Sequence, residues 1–268
     1  MYLMLFALRR TVSIIEGDMI DTIIQGDCLE IMKGIDDKSI DMILCDLPYG
    51  MTACDWDVRI PFEPLWEAYK RIIKDNGTIV LTASQPFTSM LVMSNLEMFK
   101  EEMIWDKRLI SGIFNAKQKH LKQHENIILF SKDKYTYNPQ FRNNPLLRYG
   151  KQNKHTSESY GNTEFTDNQG VGYPRSILSM ARPYNLGEGK VYHPTQKPVA
   201  LFEYLIRTYT NEGDLVLDNC AGSGTTGVAC INLNRHYILI EKKAEYVEIA
   251  RKRVAEARLV KDSQPLFF

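Results

Sequence analysis

The chain has 268 residues, 44% of them hydrophobic and 25% charged, with 33 Lys and Arg balancing 33 Asp and Glu. This suits a folded protein with a large core, in one domain or one domain with an insertion, and no apolar run reaches the roughly 20 residues of a membrane-spanning helix. The five cysteines (Cys28, Cys45, Cys54, Cys220, Cys230) are odd in number and lack Cys-x-x-Cys spacing, which points to reduced thiols and away from a metal site.

The opening "MYLMLFALRR" places its arginines behind a short apolar run, the reverse of a secretory signal. Residues 1–18 therefore read as an extension, with the domain starting near Met19 and a cytoplasmic setting expected. Short runs rich in Ile, Val and Leu follow at 40–45, 78–83, 126–131, 215–219 and 237–241, bounded by Asp, Gly, Asn or Ser. They read as buried strands of a largely parallel sheet. Asp27, in "IIQGDCLE", follows a further expected strand. Helical periodicity fills several gaps. In "PLWEAYKRIIKDNG" Leu65, Tyr69, Ile72 and Ile73 recur at helical spacing, with Gly77 read as the stop. "PVALFEYLIRTYTNEG" opens on Pro198 and runs out at Gly213, and "AEYVEIARKRVAEARLVK" forms a closing helix. Strands alternating with helices predict a doubly wound α/β fold.

Residues 133–176, rich in Asn, Tyr, Gly, Ser and Lys, lack periodicity and read as a functional insertion. Residues 107–155 carry eleven Lys and Arg against Glu125 and Asp133 alone. A basic block inside an acidic remainder predicts a polyanion-binding face. His120 and His124 are four apart but lack a third ligand, so a role on the polyanion-binding face or a solvated one is expected rather than a metal.

"LVLDNCAGSGTTGVACINLNRHYILIE" reads as strand, glycine turn, helix, strand. Gly222-x-Gly224-x-x-Gly227 fits a dinucleotide fingerprint, and Glu241, about 20 residues on, would accept ribose hydroxyls. A dehydrogenase normally opens with this unit, but here only 27 residues follow Glu241. Asp218 precedes the loop, and Ser223, Thr225 and Thr226 lie within it. Hydroxyls and a carboxylate suit the amino-acid end of S-adenosylmethionine at least as well as a pyrophosphate. On the loop alone, that cofactor and NAD both stay open, with the former favoured.

The stretch Asp46-Leu47-Pro48-Tyr49-Gly50 sits at the end of the strand over 40–45. Together with "HENIILFSK", "HPTQKP" and "DNCAGSGTTGVA", it resembles the amino-methylating DNA methyltransferases, whose catalytic motif reads (D/N/S)-P-P-(Y/F/W). Catalytic motif, basic region, H-P-T-x-K-P and cofactor loop, in that order, are similar to the permuted β class. The resemblance implies a circularly permuted, Rossmann-like fold using S-adenosylmethionine on double-stranded DNA. Catalytic and cofactor halves would span 19–132 and 181–268, flanking a target-recognition insertion at 133–180. The Asp46 carboxylate and Leu47 carbonyl would accept the two N–H groups of a target amine. Pro48 would stiffen the turn, and Tyr49 would stack on a base flipped from the duplex.

Leu47 departs from the usual proline, yet a backbone carbonyl tolerates a changed side chain. Asn219-Cys220 departs from a frequent Pro-Phe. By the same resemblance Asp27 lies near the cofactor's adenine, while His193, Thr195 and Lys197 lie near its methionine end. The first-position aspartate favours adenine N6 over cytosine N4. Lys117, Lys119, Lys122, Arg142 and Arg148 are the expected DNA contacts. Trp56 would wall the base pocket or pack a loop. The setting would be a restriction–modification system with a cognate endonuclease, a phage or an orphan methylase, and the protein a monomer or dimer. Rival readings are an NAD-dependent oxidoreductase, for which Asp46-Leu-Pro-Tyr has no reason, and a non-catalytic DNA-binding module, for which the glycine loop has none.

Overall fold

A computed structural model describes residues 19–51, 54, 57–143, 155–157, 161–163, 171–181 and 196–263. Chain order runs β1 (Thr22–Gln25), α1 (Cys28–Met32), β2 (Ile40–Cys45), α2 (Phe62–Ile72), β3 (Ile73–Ala83), α3 (Phe87–Ser94), β4 (Phe99–Ser111) and β5 (Lys122–Phe130). Short strands β6 (Arg142–Asn143), β7 (His155–Ser157), β8 (Gly161–Thr163) and β9 (Val171–Gly172) pair as β6 with β9 and β7 with β8. Then come β10 (Ile177–Ser179), α4 (Val199–Tyr209), β11 (Leu215–Asp218), α5 (Thr225–Asn232), β12 (His236–Glu241) and α6 (Ala244–Asp262).

Eight strands form one sheet in the order β1-β12-β11-β2-β3-β5-β4-β10. β1, β12, β11, β2 and β3 are mutually parallel, whereas β5 runs antiparallel to both its neighbours. Strand pleat explains the double winding. On β2, Ile43 and Cys45 join the cluster that holds Met32, Leu65, Tyr69 and Phe87 of α1, α2 and α3. Met42 and Leu44 join the cluster that holds Leu201, Phe202, Ala229 and Val254 of α4, α5 and α6. Alternate side chains point to opposite faces, so a continuous apolar strand needs helices on both. Each such side chain contributes about 1.5–3 kcal/mol on burial.

Three local expectations change. α2 passes straight into β3, because Ile73 turns to extended backbone (φ −73°, ψ 136°). Gly77 is therefore inside β3 and stops no helix; a Cβ there would meet the Ile73 side chain at 2.8 Å and the Asp41 carbonyl at 2.9 Å. β4, not anticipated from sequence, buries Met103 and Trp105 at alternate positions. Residues 177–179 pair with β4 and extend the main sheet.

β11 follows β2 by some 170 residues in sequence, yet the two lie side by side, with Val216 opposite Met42. Consequently the loops holding Asp27, Glu241, Asp218 and Asp46 all leave the same carboxyl edge of the sheet, where open α/β sheets bind ligands.

Candidate active site

Asp46 follows β2, and its carboxylate is nearly saturated. Oδ1 accepts from the Tyr49 hydroxyl at 2.8 Å and from the Thr82 hydroxyl of β3. Oδ2 accepts from the Lys197 ammonium at 2.5 Å. Lys197 Nζ also lies 3.4 Å from Glu125 Oε2, and Lys107 Nζ lies 3.1 Å from Glu125 Oε1. Both lysines are about 6% exposed, so Asp46, Lys197, Glu125 and Lys107 form an interior chain of alternating charge. The two carboxylates outweigh the burial penalty and raise the pKa of Lys197, keeping it an ammonium. Burial pushes Glu125 up, but Lys197 and Lys107 hold it below the ordinary carboxylate value. Glu125 Oε2 is buried and meets the Lys197 ammonium at 3.4 Å without an aligned hydrogen bond.

The rest of the turn is equally fixed. The Leu47 side chain is 3% exposed and packs in the core, so chain direction rather than side-chain chemistry presents its carbonyl. Tyr49 stacks on Phe87, with centroids 5.1 Å apart and planes at 25°. Lys197 Nζ stands over the Tyr49 ring, 6.0 Å from its centroid. Past the turn, the Asp57 carboxylate accepts from the Gly50 and Met51 amides at 2.8 Å each, clamping the loop.

On the neighbouring strand, Asp218 is buried. Its carboxylate accepts from the Cys220 amide at 3.1 Å and from the Thr226 hydroxyl. Burial raises its pKa to about 7, against the lowering effect of these donors. The Gly222 amide donates to Glu241 Oε2 at 2.9 Å, and the Lys243 amide to Oε1 at 2.8 Å. Each Glu241 oxygen keeps acceptor capacity for a hydroxyl. Gly222 takes the left-handed turn at φ 50°. Gly224 is also left-handed (φ 79°), and a Cβ there would meet Ala250 of α6 at 2.8 Å; one at Gly227 would meet Leu239 at 2.8 Å, so both positions serve close packing. Arg253 of α6 donates to the Ser223 carbonyl at 2.7 Å and hydroxyl at 2.8 Å, and to the Thr225 hydroxyl at 3.3 Å. The Asn219 side chain faces inward and accepts from Tyr69 at 2.6 Å. Cys28 and Cys45 are both thiol neighbours of Cys220, all three as free cysteines, and burial pushes Cys45 up to about 12.

Asp27 caps α1, its Oδ1 accepting from the Leu29 amide at 3.0 Å, with Lys242 3.4 Å from Oδ2. Lys197 meets Asp46 and not the glycine loop, while its neighbour Gln196 accepts from the Ser223 hydroxyl at 3.3 Å. Lys117 and Lys119 are exposed between β4 and β5; Lys122 is half-buried and donates to Ser84. Arg142 is exposed and donates to the Tyr173 carbonyl at 3.3 Å. Lys107 is taken out of the basic face by its burial. Arg148, His193, Thr195, Trp56 and residues 1–18 lie outside the described residues. Glu125, Asp57 and Arg253 were missed from sequence. Glu125 carried a signal: a carboxylate next to Asn126 and the apolar run "IILF" of an interior strand.

A doubly wound sheet that carries a glycine loop and an Asp-x-Pro-Tyr turn on adjacent strands defines a Rossmann-like methyltransferase. The family model described as DNA methylase, N6_N4_Mtase, matches residues 40–252, and the chain belongs to that family. Among relatives, the DNA adenine methyltransferase YhdJ of Escherichia coli (strain K12) is 30% identical over 256 residues, covering 89% of this chain and 84% of the relative. The Type II methyltransferase M.HinfI of Haemophilus influenzae is 28% identical over 271 residues, covering 90% and 70%. The crystal structure of the M1.HpyAVI–SAM complex is 27% identical with a TM-score of 0.59, covering 87% of this chain and 98% of that one. Family membership removes the dehydrogenase alternative and the purely binding one.

Proposed function

We propose that the protein is a site-specific, S-adenosylmethionine-dependent DNA methyltransferase acting on the N6 amine of a flipped-out adenine. One observation carries this reading: the Asp46 turn and the Asp218 glycine loop leave adjacent parallel strands at one edge of the sheet. An amine acceptor and a cofactor cradle are thus neighbours. Adenine is favoured by the aspartate at the first motif position and by the named activity of YhdJ. M.HinfI and M2.MboI, both Type II methyltransferases, favour a restriction–modification setting in a bacterial cytoplasm. Among the described residues no helix is long and apolar enough to cross a membrane. We assign the permuted β-class order, with recognition at 133–180 between the halves 19–132 and 181–268.

The cofactor fits the residues present. Glu241 offers two oxygens to ribose hydroxyls, and Asp218 with its loop faces the same edge. Bound there, it would supply a sulfonium methyl group. An exocyclic amine is a weak nucleophile, because its lone pair is delocalised into the ring. Asp46 and the Leu47 carbonyl draw on its N–H groups and free that pair, while Pro48 fixes their placement beforehand.

Lys197 stands where the substrate must go, on Asp46 Oδ2 and over the Tyr49 ring. Entry of the target base moves its ammonium towards Glu125 Oε2, a buried acceptor 3.4 Å away with no aligned hydrogen bond. Positive charge grows on the attacking nitrogen, so a carboxylate relieved of its ammonium stabilises the transition state better.

The reading is tested by incubating plasmid DNA with the protein and S-adenosylmethionine, then sequencing modified bases. N6-methyladenine at one recurrent site is expected. N4-methylcytosine, the runner-up product, overturns the adenine assignment.

A further inference from the structure

We propose that the loop joining β4 and β5 is a DNA wedge, with Phe114 entering the base stack at the place vacated by the target nucleotide. This rests on the DNA methyltransferase reading and adds a residue to it. Ile113–Asn115 form a 3₁₀ turn at the loop, and the Phe114 side chain is fully exposed. Ile113, Ile110 and Leu109 are exposed beside it. A solvated Phe forgoes about 1.5–3 kcal/mol of burial, so four exposed large apolar residues between positions 109 and 114 mark a contact surface.

Charge identifies the partner. Residues 107–124 contain no Asp or Glu, and Lys117 and Lys119 follow the apolar turn as exposed cations, while Arg108 is held by Ser179 and Lys122 by Ser84. Phosphates meet such cations, and bases meet the apolar turn. Minor-groove and base-flipping proteins insert apolar side chains between base steps in this way.

The loop also stands at the right edge. β5 runs antiparallel to β3, so its start at Lys122 and the end of β4 lie on the carboxyl edge that carries Asp46. Lys122 is tied to Ser84 just past β3, and Ser111 to the Lys122 carbonyl at 3.0 Å. Asn126 pairs with Ala83 and Ser111 with Lys122. The intervening rise, at about 3.3 Å per residue, puts the closing pair about 13 Å beyond the sheet edge. A tip held there faces the duplex while the extruded base reaches back to Asp46.

The test uses two duplexes of one sequence, the first with adenine at the target position identified by plasmid methylation and the second with 2-aminopurine there, a fluorescent base that has no N6 amine. Wild type should raise the fluorescence of the second and transfer methyl to the first in a single turnover. Phe114→Ala, at a fully exposed position, should fold normally and bind S-adenosylhomocysteine as wild type does. It should lose most of the fluorescence rise and slow transfer at least 10-fold. Phe114→Trp should retain both signals, and a mismatch opposite the target should restore flipping to Phe114→Ala. Wild-type flipping and transfer by Phe114→Ala overturn the wedge. So does a shift from dimer to monomer in sedimentation with transfer unchanged, which would give this surface to a second copy. Absence of transfer by wild type is a separate result and would overturn the methyltransferase reading beneath.

Discussion

Asp46 has more partners than a free acceptor needs, and the consequences belong to individual side chains. If Glu125 acts by drawing Lys197 away, Glu125→Gln should slow single-turnover methyl transfer about 10-fold while leaving KM for DNA nearly unchanged. Breaking a buried pair also costs about 3–5 kcal/mol, so a lower melting temperature is expected whatever the mechanism. The discriminating comparison is Lys197→Gln/Glu125→Gln against Lys197→Gln. The double variant should transfer no more slowly than the single one, and losses that multiply would separate the two residues. Leu47 is restricted by packing and not by chemistry. Leu47→Met should be nearly silent, whereas Leu47→Ala should cost about 2–5 kcal/mol in denaturant titration yet retain transfer per folded molecule. Asp218 gives a pH signature. Its pKa rises from 3.8 to about 7 on folding, so between those values the unfolded chain is ionised while the folded one holds its proton. Stability should therefore fall as pH rises through that window, by at most about 1.4 kcal/mol per pH unit. Urea titrations of the apo protein from pH 4.5 to 7.5 should show this decline, and Asp218→Asn should flatten it.

At the level of elements, the β4–β5 loop carries the clearest expectation. Lys117→Ala/Lys119→Ala should weaken DNA binding and reduce the slope of log affinity against log salt by about 2. An unchanged slope would place the phosphate contacts elsewhere. The same stretch illustrates what periodicity conveys and what it hides. The apolar runs at 40–45 and 237–241 were legible because both faces of those strands are buried and every residue except Asp41 and Glu241 is hydrophobic. β4 was hidden because one of its faces is polar and its outer half is bulged and charged. Gly77 looked like a helix stop because sequence cannot separate a turn glycine from one that a neighbouring backbone crowds. In the glycine loop the spacing was legible, but the division of labour was not. Gly224 and Gly227 answer to α6 and β12, which arrive later in the chain.

For the whole molecule, the order of motifs conveyed that two halves must meet, and the Val216–Met42 pairing is where they do. The interior chain from Asp46 to Lys107 was not legible, because its four members lie just past β2, on β5, on β4 and on the approach to α4, and meet only through the topology. The account's central claim is that the Asp46 carboxylate takes the target amine beside a cofactor held by the Asp218 loop. The most direct test is single-turnover transfer from labelled S-adenosylmethionine to plasmid DNA by wild type and Asp46→Ala, with digestion to nucleosides and binding of S-adenosylhomocysteine measured in parallel. Label in N6-methyldeoxyadenosine for wild type is predicted, with at least a 1,000-fold loss in Asp46→Ala and cofactor-product affinity within a few-fold. Transfer by Asp46→Ala at a rate close to wild type would contradict the account.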